Sequence, residues 1–239
     1  MSSTAKTITF GILTTVAAAV CVRLGIWQLD RLQQRRTQNA IVTERGVAPV
    51  LSVADLRGQD TSVTHWRRVR VDAVADYEHE LVHATRTQNG SPGVHLLTPV
   101  HPLDGSWGDT AVLVLRGYLY AADGRTVDFG KARESDTLHV ETLLTSFPPV
   151  RAGQARMQSS PRAMRLLNPD SIATLIGRPV APFVLLVLGD TTMTDITRPS
   201  RVPPPPITEG PHLSYALQWF SFATVFVVGF LAFTRTRRK

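Results

Sequence analysis

Residues 8–29 read ITFGILTTVAAAVCVRLGIWQL and residues 213–233 read LSYALQWFSFATVFVVGFLAF. Each is a nearly unbroken apolar run. As a helix rising about 1.5 Å per residue, each reaches about 30 Å, the depth of a bilayer's hydrocarbon core. The 183 residues from Asp30 to His212 lie between the two runs. Two crossings would put both termini on one side and the whole middle on the other. The predicted organisation is a cytoplasmic N-terminus at 1–7, a transmembrane helix at 8–29, an extracytoplasmic β-rich domain at 30–212, a second transmembrane helix at 213–233 and a basic cytoplasmic tail at 234–239.

The formal charge of +7 does not point to nucleic acid, because of where it sits. Lys6, Arg23, Arg235, Arg237, Arg238 and Lys239 lie outside the middle segment, and all 19 Asp and Glu lie inside it. The middle is therefore close to neutral, and the excess is membrane-flanking charge that orients helices and meets anionic lipid. The run Arg235-Thr236-Arg237-Arg238-Lys239 predicts a cytoplasmic C-terminus, and hence a cytoplasmic N-terminus. Arg31, Arg35 and Arg36 oppose that orientation, but long loops translocate largely regardless of charge. The expectation is a multi-pass protein of a bacterial plasma membrane. The first run is too long for a cleaved signal, and no small-residue cleavage site follows it. It reads as a retained anchor. Cys21 is the only cysteine, which rules out an intramolecular disulfide and a Cys-x-x-Cys redox or heme-attachment motif.

Residues 30–44 are polar and helix-compatible, and would extend the first helix into water. Residues 66–73 alternate, with Val69, Val71 and Ala73 on one face and Arg68, Arg70 and Asp72 on the other, the pattern of a half-buried strand. Further strands are predicted at 80–87, 94–100, 110–120, 138–146 and 182–188, with turn signals at 89–93 and at Asp104-Gly105. Residues 169–176 predict a short helix, with Asn168 as N-cap, Pro169 at its first position and Gly177 just past its end. The four prolines 203–206 predict an extended spacer before the second span. The fold class is a membrane protein in which a two-helix transmembrane hairpin flanks a mainly antiparallel β domain, barrel or sandwich-like, with one or two short helices.

Two places carry residues with chemistry. His79-Glu80-Leu81-Val82-His83 matches the zinc-protease pattern, which needs a helix to bring both imidazoles to one metal. The Thr-rich sequence that follows favours a strand, where the two rings would stand about 13 Å apart. The start of the second span is more telling. His212, Tyr215 and Trp219 share one helical face, and Trp27 at the end of the first span belongs at the same depth, near the outer interface. Gln28 and Gln218 are polar groups there that favour partners within protein, and Arg23 sits one turn deeper than Trp27. A neutral imidazole beside aromatic rings and arginines is suited to ligate heme iron while the arginines meet its propionates. His212 is the candidate metal ligand. Tyr215, Trp219, Arg23 and Trp27 are the candidate surrounding residues.

The two span ends carry a resemblance. Gly25, Trp27, Gln28 and Arg31 match a Gly-x-Trp-Gln-x-x-Arg pattern, and His212, Tyr215, Ala216, Gln218 and Trp219 match His-x-x-Tyr-Ala-x-Gln-Trp. Between them come Trp66-Arg67-Arg68-Val69, Arg86, Pro92-Gly93, Thr98-Pro99 and Val114-Leu115-Arg116-Gly117-Tyr118. In these the chain resembles the surfeit locus protein one family, the assembly factors of cytochrome c oxidase. The match is weak over 121–205, Tyr118 stands where the family usually has Trp, and the proline run before His212 is atypical. The resemblance implies a non-enzymatic role in maturing a heme-copper oxidase, handling heme a through His212. Its partners would be oxidase subunits or a respiratory supercomplex, besides membrane lipid. The alternatives are a stably bound accessory subunit of a respiratory complex and a membrane-anchored zinc metalloprotease.

Overall fold

The computed structural model describes residues 3–148, 158–160, 162–192 and 195–236. The chain divides into two compact units, Met1–Thr43 with Pro206–Lys239, and Glu44–Pro205. Arg237, Arg238 and Lys239 of the basic tail lie outside the described residues.

The first unit is two helices, α1 (Ser3–Val47) and α4 (His212–Thr236). Prolines bracket them: Pro49 follows the end of α1, and Pro211 immediately precedes α4. The polar stretch after Leu29 continues α1 without a break, as its composition predicts. Thr14, Ala18, Cys21, Gly25, Gln28 and Leu32 are the buried residues of this part of α1. Their spacing alternates between four and three, which keeps one narrow seam facing a partner helix. Opposite, Ala216 and Ala223 are buried on α4. Gly25 lies against the Phe220 ring and Gly11 against Phe230, while the Phe10 and Phe233 rings stand 5.0 Å apart. Positions rising along α1 thus meet positions falling along α4, so the helices are antiparallel. Small residues on the seam let the backbones approach and take up the aromatic rings.

Away from the seam both helices are apolar and bare, with Leu13 63% and Val225 66% exposed. Both are long and apolar enough to cross a membrane, each with a mean hydropathy of 1.8 over its most apolar window.

The second unit is built from β1 (Leu51–Ser52), α2 (Thr61–Thr64), β2 (Arg68–Ala75), β3 (Leu81–Gln88), β4 (Ser91–Pro102), β5 (Ala111–Tyr120), β6 (Thr137–Ser146), β7 (Gln158–Ser160), β8 (Ala163–Met164), α3 (Pro169–Ile176) and β9 (Val180–Val187). The strands are hydrogen-bonded in the order β1-β2-β6-β9-β5-β4-β3-β8-β7, and β2 also pairs with β4. That last pairing, Ala73 with Pro102 through Ala75 with Val100, closes β2, β6, β9, β5 and β4 into a five-stranded barrel. Pairing is mainly antiparallel as expected, but β5 and β9 are parallel. The chain reaches β9 through α3, a crossover that brings it back in the direction of β5.

Val69, Val71, Ala73, Val112, Val114, Phe183 and Leu185 fill the barrel, closed at one side by Trp107, whose ring meets Phe183 edge-on and whose indole N–H donates to Val53 O at 2.9 Å. Alternate residues of the same strands, Leu97, Leu113 and Val184, pack outward under Ile172 and Ile176 of α3. With both faces covered, Ala111 to Leu115 of β5 form a continuous apolar run rather than an alternation, up to Arg116.

The caps of α3 are those its sequence predicts. Asn168 accepts from Ser171 N at 2.9 Å, and Gly177 is left-handed with φ 71°. The turn signal at 89–93 is narrower than expected. Asn89 and Gly90 alone make the turn, both at positive φ, and Ser91 to Gly93 already belong to β4. Residues 201–209, the proline run among them, carry neither helix nor strand.

Gly93 packs against the Leu119 carbonyl and the Tyr118 ring, so a Cβ there would meet backbone that cannot yield. Gly93→Ala is expected to lower the stability of the barrel by about 1–3 kcal/mol, the cost of overpacking a filled core. Gly46→Ala, at a position with nothing within 4 Å, should leave stability unchanged or slightly raised. Thermal or denaturant unfolding of the detergent-solubilised protein compares the two.

Candidate functional site

His212 opens α4 on the seam side, and its Nδ1 lies 2.8 Å from Gln28 Oε1 of α1. With the amide oxygen facing the ring, the neutral imidazole compatible with this contact carries its proton on Nδ1 and its lone pair on Nε2. Gly210, at φ +68°, lies beside the Nε2 edge of the ring, where a Cβ would stand 3.6 Å from Nε2 and 3.5 Å from Cδ2. Just before it in sequence, Glu209 takes a two-pronged ion pair from Arg36 of α1, with Nε to Oε1 at 2.9 Å and Nη2 to Oε2 at 3.1 Å. The two contacts hold the start of α4 at a fixed height along α1.

At about 100° per residue, Trp219 lies within about 20° of His212 around α4, and Tyr215 about 60° away. The Trp219 ring packs edge-on to Phe222, 5.9 Å between centroids, and Tyr215 is exposed. Trp27 is exposed on the flank of α1, with the Arg31 guanidinium 5.5 Å over its ring. Arg23 is exposed, about 140° round α1 from Gln28, and forms no ion pair among the described residues. The structure therefore brings His212 together with Gln28 and places Trp219 on the same flank. It does not bring Arg23 onto the seam. Sequence reasoning left Gln28 out of the candidate site, noting it as a polar group wanting a partner and as one residue of the first span-end motif.

An iron porphyrin is the group the resemblance implies, and the donor set suits it in one respect. His212 supplies one imidazole whose Nδ1 already has a hydrogen-bond partner, so Nε2 is the nitrogen that would meet an iron.

The segment His79 to His83 takes a different form. His79 ends a single turn of 3₁₀ helix, Tyr77–His79, with its Nδ1 2.8 Å from Asp76 Oδ2, and β3 begins at Leu81. The strand predicted from residue 80 starts one residue later, and the two histidines do not share it. Glu80 is fully buried and paired with Arg116, itself 1% exposed. The Arg116 guanidinium also donates to Thr98 Oγ1 at 2.8 Å, Ala132 O at 2.9 Å and Glu134 Oε2 at 2.8 Å, and Arg201 reaches Glu134 Oε1 at 2.9 Å. A carboxylate held this way cannot activate a metal-bound water. No group of three or more His, Cys, Asp or Glu fit to hold a metal ion occurs among the described residues. The protease geometry is absent, and Glu80 is a structural ion-pair partner.

His83 is half-buried rather than a surface residue. It stands directly opposite His95 across β3 and β4, with the rings 6.0 Å apart. Thr85, at φ 60°, marks a bulge in β3 that shifts the register before Arg86. Burial, and after it the positive charge of Arg86, pushes both imidazoles down to about 4.

A pair of antiparallel helices apolar enough to span a bilayer, carrying a small closed β-barrel in the sequence between them and a histidine hydrogen-bonded to the first helix where the second begins, defines the class of protein. The chain belongs to the SURF1 family, whose sequence model matches residues 15–224. It is similar to a SURF1-like protein of Rickettsia conorii (strain ATCC VR-613 / Malish 7), 22% identical over 226 residues, covering 93% of this chain and 90% of that protein. It is likewise similar to a SURF1-like protein of Rickettsia felis (strain ATCC VR-1525 / URRWXCal2), 21% identical over 223 residues, covering 92% and 94%.

Two predictions concern the barrel. Arg116→Leu leaves Glu80 buried without its partner and should cost about 3–5 kcal/mol in unfolding measurements. For the histidine pair, the folded value near 4 lies below the ordinary 6.5, so within that window the unfolded chain binds protons that the folded barrel does not. Stability should therefore be full above pH 6.5 and fall as pH drops toward 4. His95→Phe should flatten the acid side of the thermal-midpoint profile, and an unchanged slope would remove the histidines from the explanation.

Proposed function

We propose that this protein is a membrane-embedded, non-enzymatic assembly factor for a heme-copper cytochrome c oxidase, and that it handles heme a at His212. The observation that carries the reading is the His212–Gln28 hydrogen bond, which joins the two span-end motifs at one level. Membership of the SURF1 family supports the oxidase as partner. The bare apolar faces of α1 and α4 support insertion as a transmembrane hairpin, since exposing that much apolar surface to water is unfavourable. In this reading the chain sits in a bacterial plasma membrane with both termini cytoplasmic and the barrel outside.

When bound, heme would supply an iron with an open coordination position for imidazole. His212 would offer Nε2 to that iron, with Gln28 accepting a hydrogen bond from Nδ1. Trp219 lies on the flank of α4 that His212 occupies, where it would border the porphyrin. The same apolar faces suit packing against oxidase helices, which makes the accessory-subunit reading a matter of lifetime rather than of surface.

Deletion of the gene is expected to lower the heme a content and the yield of assembled oxidase. Normal content and assembly, with no second copy compensating, would overturn the reading. His212→Ala should weaken heme binding by the detergent-solubilised protein by at least about tenfold, about 1.4 kcal/mol or more. Recovery only with immature oxidase supports the assembly factor, and stoichiometric recovery with mature oxidase supports a subunit.

A further inference from the structure

The seam between α1 and α4 is apolar or small-sided along most of its length, and Gln28 is its most polar member. It is 9% exposed, surrounded by helix on two sides. Burying an amide costs free energy unless its polar atoms are met, and a seam of this kind packs well with Ala, Gly or Leu at that position. What Gln28 meets is one nitrogen of one ring, His212 Nδ1 at 2.8 Å. With the side-chain oxygen as acceptor, the compatible neutral ring is the one protonated on Nδ1. The Arg36–Glu209 pair, anchored eight residues further along α1, holds the segment just before His212 and limits its freedom to turn away.

We propose that Gln28 is a positioning residue for His212. Its side-chain oxygen fixes the Nδ1–H tautomer and the ring plane, and thereby keeps the lone pair on Nε2, at the edge beside Gly210. The inference rests on the reading of His212 as an iron ligand, but its first step, the tautomer, does not require iron. A neutral imidazole free in water favours the other tautomer slightly, so an Nδ1–H form is a signature of an acceptor held against it. Once iron is bound, the same hydrogen bond raises the basicity of the ligating nitrogen. Losing such an outer partner characteristically costs ten- to a hundredfold in affinity. A carboxylate in place of the amide accepts more strongly and should push the ligand further toward imidazolate.

The test uses the full-length protein in detergent. In the first arm the histidines are labelled with 15N, and the His212 signals are identified by their loss in His212→Gln. The expected result is protonated Nδ1 and unprotonated Nε2, changing in Gln28→Leu. An Nε2–H tautomer in the unaltered protein, or one indifferent to Gln28→Leu, overturns the proposal. In the second arm the protein is titrated with hemin. Gln28→Leu should weaken binding by about ten- to a hundredfold. Gln28→Glu should retain binding, raise the iron–histidine stretching frequency in the ferrous form and lower the midpoint potential. If His212→Ala abolishes binding while both Gln28 variants keep the affinity and spectrum of the unaltered protein, Gln28 is a helix pin only and this inference fails, although the heme reading stands. If His212→Ala also binds hemin unchanged, the heme reading itself fails, and the tautomer measurement alone decides the role of Gln28. Helical content and thermal midpoint, recorded for each variant, separate loss of positioning from loss of fold.

Discussion

A hydrogen bond within a nearly apolar seam sets the geometry on which the candidate site depends. Helices that are apolar on nearly every face gain no unique register from apolar contact alone. Register must come from shape and from the few polar groups that need a partner. Here Gly11 and Gly25 receive the Phe230 and Phe220 rings, and Gln28 receives His212. The first two set the separation of α1 and α4, and the third sets their height and gives the histidine a direction. Arg36 and Glu209 repeat the constraint two turns beyond, in the polar extension of α1.

The barrel depends on a different polar device. Arg116 projects from β5, and Glu80 precedes β3; Thr98 on β4, Ala132, Glu134 and Arg201 complete the set. These groups come from strands and from the long segments between them. Stacked charges of alternating sign leave little freedom for those segments to detach singly, since each departure strands a buried partner. Gly117 and Gly93 flank the same region, where the backbone at Ser200 and the Tyr118 ring approach more closely than any side chain would permit. The family-like residues of the middle domain, Pro92-Gly93, Thr98 and Arg116-Gly117-Tyr118, therefore serve packing and charge satisfaction. That separates them in role from the motifs at the span ends.

Much of this architecture was legible in the sequence because it is local. The two long apolar helices follow from unbroken apolar length, β2 from strict alternation, and α3 from Asn168, Pro169 and Gly177 in their capping order. The strands of the barrel fall within a few residues of their predicted limits. The short strands β1, β7 and β8 were missed, since two or three residues carry no periodicity. The zinc-protease pattern was a coincidence of three residues. Its outcome was decided by Arg116, thirty-six positions along the chain, which no local pattern reveals.

The sequence by itself determined the two apolar helices, their polar extension, the longer strands and the capped helix, because each is written in the spacing of side chains a few residues apart. Only the tertiary structure decided that β2 meets β4 to close the barrel, that β9 runs parallel to β5, that Glu80 is buried against Arg116, and that Gln28 meets His212 across 184 positions. Those pairings bring together distant parts of the chain. Each is selected by how whole elements pack and which buried polar groups must be satisfied, and neither condition can be evaluated before the elements have been placed.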